Sequence, residues 1–376
     1  MKPKKKVLID IFYLHVAQTG IRTYILSICE EVKKSKDPDL DFVLSPNFGS
    51  IQKSTFFKGK TSTWKNLLFQ ALYFFRKQLW LPLLSYWHRA DLVFSPDIMS
   101  PSWGRGKKVS VIHDTFFWDN PEHYQALWLK YYLYFLKKGL KKNSSVVTIT
   151  DFSKRKLLNL PEFKQLRIDV AYPSSGLHIP SKIQTHSKPE EKYFLHVGVM
   201  EKRKNLGGLV KAFGFLTQEP GFEDYKLYLV GQRGPRKTLD DFDQLFETVE
   251  QLGLQEKVIF TGYVDKESLK KYFQGALAYV FPSANEGFGL PVLEAFSFGL
   301  PVIISNQGAL REVAGGAALV LEKNNPHHLK EAMKRLAEDQ SLREDLGQKS
   351  INRLEQFTTE KFFLSLRGIF KSLLDE

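Results

Sequence analysis

Glu286 and Glu294 stand eight positions apart and bracket the run Gly287-Phe-Gly-Leu-Pro-Val-Leu293. Upstream, Ala276-Leu-Ala-Tyr-Val-Phe-Pro282 is apolar, partly β-branched and aromatic, and stopped by proline, which predicts a short buried strand. Downstream, Pro291 suits a first helical residue, where a missing N–H costs nothing, and Gly299 with Pro301 ends the helix. A strand, a glycine loop and a helix start in succession gather backbone amides and a positive dipole end at one point. Phosphate or sugar oxygens fit such a point. Glu294, about one turn into the helix, can accept hydrogen bonds from two hydroxyls, and Glu286 overhangs the same crevice. The competing reading is a surface acidic loop in front of an ordinary helix.

The elements that must position these residues follow from the hydrophobic pattern. Val7-Leu-Ile-Asp-Ile, Phe42-Val-Leu-Ser, Leu92-Val-Phe-Ser, Val109-Ser-Val-Ile-His and Val146-Val-Thr-Ile-Thr predict strands, with a helix through Ile25–Val32. Strands alternating with helices imply parallel βαβ units with crossover helices on both faces. From Tyr172 to Pro189 the pattern lapses into Ser, Lys, Pro and Gly, as in a linker. A second strand–helix series runs from Tyr193 to about Glu355. At 376 residues the chain exceeds what one hydrophobic core organises. The expectation is an α/β protein of two Rossmann-like domains, 1–175 and 190–358, with ligands beyond the carboxyl ends of the strands.

The Glu286–Glu294 run resembles the E-x7-E signature of retaining glycosyltransferases of the GT-B fold, family 4, the glycosyl transferases group 1. Phe194-Leu-His-Val-Gly-Val-Met-Glu-Lys-Arg-Lys-Asn205 is similar to that family's strand and basic phosphate loop. Lys226-Leu-Tyr-Leu-Val-Gly231, Val258-Ile-Phe-Thr-Gly-Tyr-Val264 and Pro301-Val-Ile-Ile-Ser305 match its later strands. The resemblance implies two domains facing each other across a cleft. The N-terminal one would bind acceptor and the C-terminal one the nucleotide sugar, with a final helix at 359–376 crossing back to the N-domain.

It also implies roles for particular residues. Lys204 and its neighbour Arg203 would hold the donor diphosphate, since charge grows on the leaving phosphate during transfer. Relatives often carry another basic residue where this chain has Val199. Gly20, in a loop Thr19–Tyr24 joining strand one to helix one, would approach the donor phosphate. Relatives often read Gly-Ile-Gly-Arg there, and this chain reads Gly-Ile-Arg-Thr. His113, ending the Val109–Ile112 strand, would touch the transferred sugar. Glu286 would bind that sugar, Gly287, Phe288, Gly289 and Leu290 would present backbone amides, and Glu294 would hold the ribose. No general base is implied. Attack would come from the face the phosphate leaves, with that phosphate helping to deprotonate the acceptor. The implied substrates are a nucleotide sugar of GDP-mannose or UDP-hexose type and a glycan or lipid-linked glycan of cell-surface polysaccharide synthesis.

Charge and composition bound the rest. Residues 1–180 hold 28 Lys+Arg against 14 Asp+Glu, and residues 181–376 hold 26 against 27, so the net +13 lies entirely in the N-terminal half. Such a field suits an anionic membrane surface, nucleic acid or a phosphorylated acceptor. No nucleic-acid motif accompanies it, and nucleic acid is not expected as a partner. Cys29 is the sole cysteine, which argues against a disulfide framework and for a reducing cytoplasm. No segment approaches the roughly 18 apolar residues that span a bilayer, so any membrane contact would be peripheral, on the inner face. Asp37-Pro-Asp39-Leu-Asp41 and Asp240-Asp241-Phe-Asp243 have D-x-D spacing but read as surface acid, and neither a metal nor another cofactor is expected.

Trp64–Arg89 admits two readings. Leu68, Leu72, Phe75 and Leu79 recur at helical spacing, as on a core-facing helix. Trp80, Leu81, Leu83, Leu84, Tyr86 and Trp87, flanked by Arg76, Lys77 and Arg89, would equally suit a membrane interface. A different class of function, a non-catalytic nucleotide- or glycan-binding module on the same fold, is compatible with all of these residues.

Overall fold

The computed structural model describes residues 3–17, 19–53, 57, 63–140, 144–176, 191–234 and 239–376. The chain divides into two compact units, one comprising Met1–Gly176 with Phe357–Glu376 and the other Leu177–Gln356. The linker expected from Tyr172 to Pro189 therefore begins at the end of the first unit, and from residue 177 it lies outside the described residues.

The first unit holds β1 (Lys5–Asp10), β2 (Leu40–Ser45), β3 (Leu92–Ser95), β4 (Lys107–Ile112), β5 (Ser144–Thr148) and β6 (Arg167–Val170), in the spatial order β2-β1-β3-β4-β5-β6. The second holds β7 (Tyr193–Val197), β8 (Lys226–Val230), β9 (Val258–Gly262), β10 (Ala278–Phe281), β11 (Val302–Ile304) and β12 (Leu319–Val320), in the order β12-β11-β10-β7-β8-β9. The pairings between these strands are parallel. The apolar runs read from sequence fall on these strands. The strand β6, a short stretch with Arg and Asp in it, carried no such signal.

Parallel strands are buried on both faces, which is why the runs are continuously apolar. Phe194, Leu227, Leu229, Val280 and Ile303 pack with Leu209, Val210, Phe213 and Met333 into the core of the second unit. In each sheet the strand order reverses once, between β1 and β3 and between β7 and β10. Ligands of doubly wound folds settle outside the carboxyl ends of the strands at such reversals.

The helices used below are α1 (Thr19–Lys34), α2 (Thr63–Phe75), α3 (Leu81–Trp87), α4 (Ala126–Gly139), α5 (Leu206–Leu216), α6 (Leu290–Phe296) and α7 (Thr359–Asp375). α7 belongs to the first unit. There Phe362 packs on Tyr24, Phe363 on Phe42 and Phe370 on Phe94. Asp37 was expected on the surface. It is buried instead, its carboxylate pairing with Arg367 and Lys371 of α7 and accepting the amides of Asp39 and Leu40. A carboxylate can be buried at that cost because cations and amides satisfy it.

α2 and α3 show which face of Trp64–Arg89 is buried, a point on which two readings stood open. They are joined by a π-turn, Arg76–Trp80. Phe69, Tyr73, Arg76, Lys77, Leu81, Pro82 and Ser85 are buried, whereas Leu68, Leu72, Phe75 and Leu79 are exposed. Four-residue spacing drifts around a 3.6-residue helix, and one wide turn takes the drift back. The cause of the inversion is polar. Lys77 pairs with Asp97 at 2.6 Å and Asp10 at 2.8 Å, and Arg76 reaches Asp10 at 3.1 Å and Ser45 at 2.8 Å. These partners lie at or just beyond the carboxyl ends of β1, β2 and β3. The two cations thus claim the inward face, and the leucines turn outward.

Candidate functional site

In the second unit, the segment after β7 and the segment after β10 meet at the strand-order reversal. Arg203 O accepts the amide of Ala284 at 2.7 Å and the hydroxyl of Ser283 at 3.1 Å, tying the two loops together. Ser283 is itself held by Ser305, whose hydroxyl donates to its carbonyl. On this frame Glu286 Oε1 receives three donors: Lys204 Nζ at 2.5 Å, Arg203 Nη1 at 2.6 Å and Ser283 Oγ at 2.9 Å. Glu286 Oε2 takes none from the described residues.

The electrostatics follow from enclosure. Burial would raise the Glu286 carboxyl, but Lys204 and Arg203 outweigh it and hold it below the usual carboxylate range. Burial draws the Lys204 ammonium down despite Glu286. Arg203 is held up by Glu286 and by Glu201, whose carboxylate lies 2.8 Å from its Nε. Lys204 also lies 4.4 Å from the centre of the Phe281 ring. Beneath them His196 Nδ1 lies 2.9 Å from Val280 O; a carbonyl only accepts, so Nδ1 carries the proton and donates. Burial pulls its pKa down to about 4. The site is therefore two clamped cations on a carboxylate, over a neutral imidazole.

Glu294 lies in α6, one turn beyond its start. Burial raises its carboxyl, and no side chain among the described residues pairs with it. Between the glutamates, Phe288 is buried and Gly289 has φ 98°, a left-handed conformation that starts α6, with Pro291 in the first turn as expected. A Cβ on Gly289 would meet Leu310 at 2.6 Å. Gly308, at φ 67°, lies so close that a Cβ would stand 2.8 Å from the backbone N and O of Glu286, and Ala309 donates its amide to Glu286 O. Glu201, Ser283, His196 and Gly308 were not singled out from sequence. His196 stood inside a quoted strand, and Gly308 had no local signal, because its purpose is defined by a segment more than twenty residues away.

Gly20 and His113 belong to the first unit. Gly20 is the second residue of α1 and not part of a loop, so the expectation of a loop over Thr19–Tyr24 joining strand one to helix one is corrected. Its φ is not positive, and the chain turns earlier, through Ile11–Ala17. His113 follows β4 directly, with Nε2 3.3 Å from Pro96 O and Tyr24 packed edge-on at 4.9 Å. Desolvation takes its pKa down to about 4, so it is neutral at pH 7. Asp240 serves a turn, accepting the amide of Gly234 and pairing with Arg233. Among the described residues no three His, Cys, Asp or Glu side chains converge as metal ligands.

Two doubly wound parallel sheets, with the last helix returned to the first unit, define the GT-B fold. Sucrose-phosphate synthase from Thermosynechococcus elongatus shares it, with a TM-score of 0.72 at 18% identity over 99% of this chain and 100% of that one. The model of the glycosyl transferases group 1 matches residues 179–353. O-antigen chain mannosyltransferase B of Escherichia coli is 31% identical over 275 residues, 71% of each chain. O-antigen chain mannosyltransferase RfbU of Salmonella typhimurium is 28% identical over 206 residues, 55% of this chain and 54% of the relative. The chain belongs to the glycosyl transferases group 1 family and is a hexosyltransferase.

Proposed function

We propose that this protein is a retaining transferase of family 4 that moves a hexose, mannose first among candidates, from a nucleotide sugar to a glycan or lipid-linked glycan during cell-surface polysaccharide synthesis. The observation that carries the reading is the Arg203–Lys204–Glu286 cluster at the β7/β10 reversal. Fixed cations there need little reorganisation to meet charge growing on a leaving diphosphate. Mannose is favoured because the two bacterial relatives above are named as mannosyltransferases.

In this reading Lys204 and Arg203 hold the diphosphate, and Glu286 offers its unused Oε2 to the hydroxyls of the transferred sugar. Backbone amides at Gly289 and Leu290 add neutral donors, and Glu294 accepts the two ribose hydroxyls. His113, neutral and held by Pro96, bonds a donor-sugar hydroxyl and does not act as a cation. Gly20 contributes the backbone of the first turn of α1. No side chain is assigned as general base, and the departing phosphate takes the acceptor proton.

The test is turnover of a panel of GDP-, UDP-, dTDP- and ADP-hexoses with lipid-linked glycan acceptors, reading the anomeric configuration of the product by NMR. Transfer from one donor with retention supports the proposal. An inverted product overturns the retaining mechanism. Nucleotide binding without turnover of any donor favours a non-catalytic module.

A further inference from the structure

The outward face of α2 and α3 is unusual for a water-exposed surface. Trp64, Leu67, Leu68 and Phe75 are exposed along α2, and Leu79, Trp80, Leu83, Tyr86 and Trp87 continue the ridge, Trp87 at 84% exposure. α4 extends it. Phe74 packs on Tyr131 and Phe135, and Trp128 donates to Gln70, while Leu127, Tyr131 and Tyr134 face solvent. Trp80, Leu83, Leu84, Tyr86 and Trp87 also line an open apolar cavity of about 570 Å³. A contiguous apolar surface of this kind marks an interaction site.

Charge identifies the occupant. Residues 63–90 and 126–139 contain no Asp or Glu. Arg89, Lys130 and Lys138 are exposed beside the aromatic side chains, with Lys65 half-buried among them, while Lys137 is paired with Glu162 at 3.3 Å. Tryptophan and tyrosine mixed with cations, on helices that carry no anion of their own, match a headgroup layer: rings at the interface, aliphatic tips below it, cations on phosphates. A symmetric contact between two copies would set these same cations near one another, which opposes self-association.

We infer that the α2–α3 ridge and the neighbouring face of α4 dock this protein on an anionic lipid bilayer, with Trp80, Leu83 and Trp87 inserted among the acyl-chain ends. The buried Asp10–Arg76–Lys77–Asp97 cluster is the device that makes this possible, because it turns the charged side of the helix inward and the apolar side out. The inference deepens the proposed function, since its biological sense rests on a lipid-linked acceptor.

The experiment is co-sedimentation of the full chain with vesicles of equal parts phosphatidylglycerol and phosphatidylcholine, or of phosphatidylcholine alone, with no donor or acceptor present. Binding is expected at lipid concentrations at least about tenfold lower for the anionic vesicles, weakening in high salt. Trp80→Ser/Leu83→Ser/Trp87→Ser should lower the affinity by about tenfold or more while leaving the circular dichroism spectrum unchanged. Should that variant fail to fold, Arg89→Glu/Lys130→Glu carries the test by losing the preference for anionic lipid.

Absence of binding at about 1 mM anionic lipid, or equal binding by the variants, overturns the inference. A wild-type dimer in sedimentation velocity that the triple variant dissociates also overturns it, in favour of a second copy as occupant. Vesicle binding is read without turnover, so failure of the transferase reading would leave it standing, and the reverse.

Discussion

Lys204 Nζ lies 2.5 Å from Glu286 Oε1, joining the loops that leave β7 and β10, with Lys204 only 6% exposed. A buried pair of this kind is costly to break on one side, because the remaining charge has no partner. Here the remaining charges would be the cations assigned to the diphosphate. Glu286→Gln is therefore expected to lower the stability of the free protein by about 3 kcal/mol and to increase the thermal shift caused by the cognate nucleoside diphosphate. It should still reduce kcat by about 100-fold or more, through loss of the proposed sugar contact. Lys204→Met should abolish the nucleotide shift. Differential scanning fluorimetry with and without nucleotide, alongside turnover, checks both.

Glu294 separates from Glu286 in kind. It is half-buried, its carboxyl raised by burial, and among the described residues no cation stands against it. A carboxylate in that state repels phosphate and can accept hydroxyls, which is the role proposed for it at the ribose. Losing two hydrogen bonds to a charged acceptor costs about 2–4 kcal/mol, so Glu294→Ala should raise the donor KM by about 30-fold or more with kcat nearly unchanged. Because its pKa is raised, the ionised form is lost earlier than usual as pH falls. The donor KM should therefore rise toward acid pH in the wild type, and that dependence should vanish in Glu294→Gln.

The buried cluster of the first unit predicts an asymmetry between its two carboxylates. For Asp10, burial is outweighed by Lys77 and Arg76, and its pKa is lowered; for Asp97, burial prevails and its pKa rises to about 6. Asp10→Asn leaves two buried cations sharing one carboxylate and should cost about 3–5 kcal/mol. Asp97→Asn keeps an acceptor for Lys77 and should cost less. A raised carboxyl stabilises the fold fully below the unfolded value near 3.8, and that contribution is lost as pH rises through about 6. The cost of Asp97→Asn should thus shrink between about pH 4.5 and pH 7.5, measured by urea unfolding.

Gly308 is a test of loop geometry. Its left-handed φ of 67° and its approach to the Glu286 backbone leave no room for a methyl group. Gly308→Ala should cost about 1–3 kcal/mol in stability and reduce kcat disproportionately, because Glu286 is displaced and not removed. The crystal structure of that variant, or its pH profile against wild type, would show the displacement.

How much of this was legible in the sequence depends on whether the signal is local. Most strands of both sheets, the proline-started α6 and the Arg203-Lys204 loop were readable because each is encoded within a few residues. The face that Trp64–Arg89 buries stayed open because its periodicity is ambiguous between two adjacent stripes. The choice between them is made by Asp10 and Asp97, which meet Arg76 and Lys77 only after the sheet has formed. Asp37 was misread for the same reason: its partners lie more than three hundred residues along the chain, in α7. Gly20 shows a different failure, since a glycine near a helix start carries no mark of whether it precedes the helix or opens it.

Asp37 provides the last prediction. It is buried, carries two backbone amides and faces Arg367 and Lys371, with Lys371 also 2.5 Å from Asp39. Burial works to raise its carboxyl, yet the amides of Asp39 and Leu40 and then the two cations hold it below the usual range. A depressed carboxyl contributes stability above its unfolded pKa that is lost as pH falls through the folded value. Asp37→Asn should therefore destabilise the first unit by about 2 kcal/mol at neutral pH, with the difference from wild type closing below about pH 4. Because Phe362, Phe363, Leu366 and Phe370 of α7 are buried in the same unit, the same variant should speed amide exchange across α7 while leaving α5 and α6 of the second unit unaffected. Exchange that rises equally in both units would show that α7 is not held by this carboxylate.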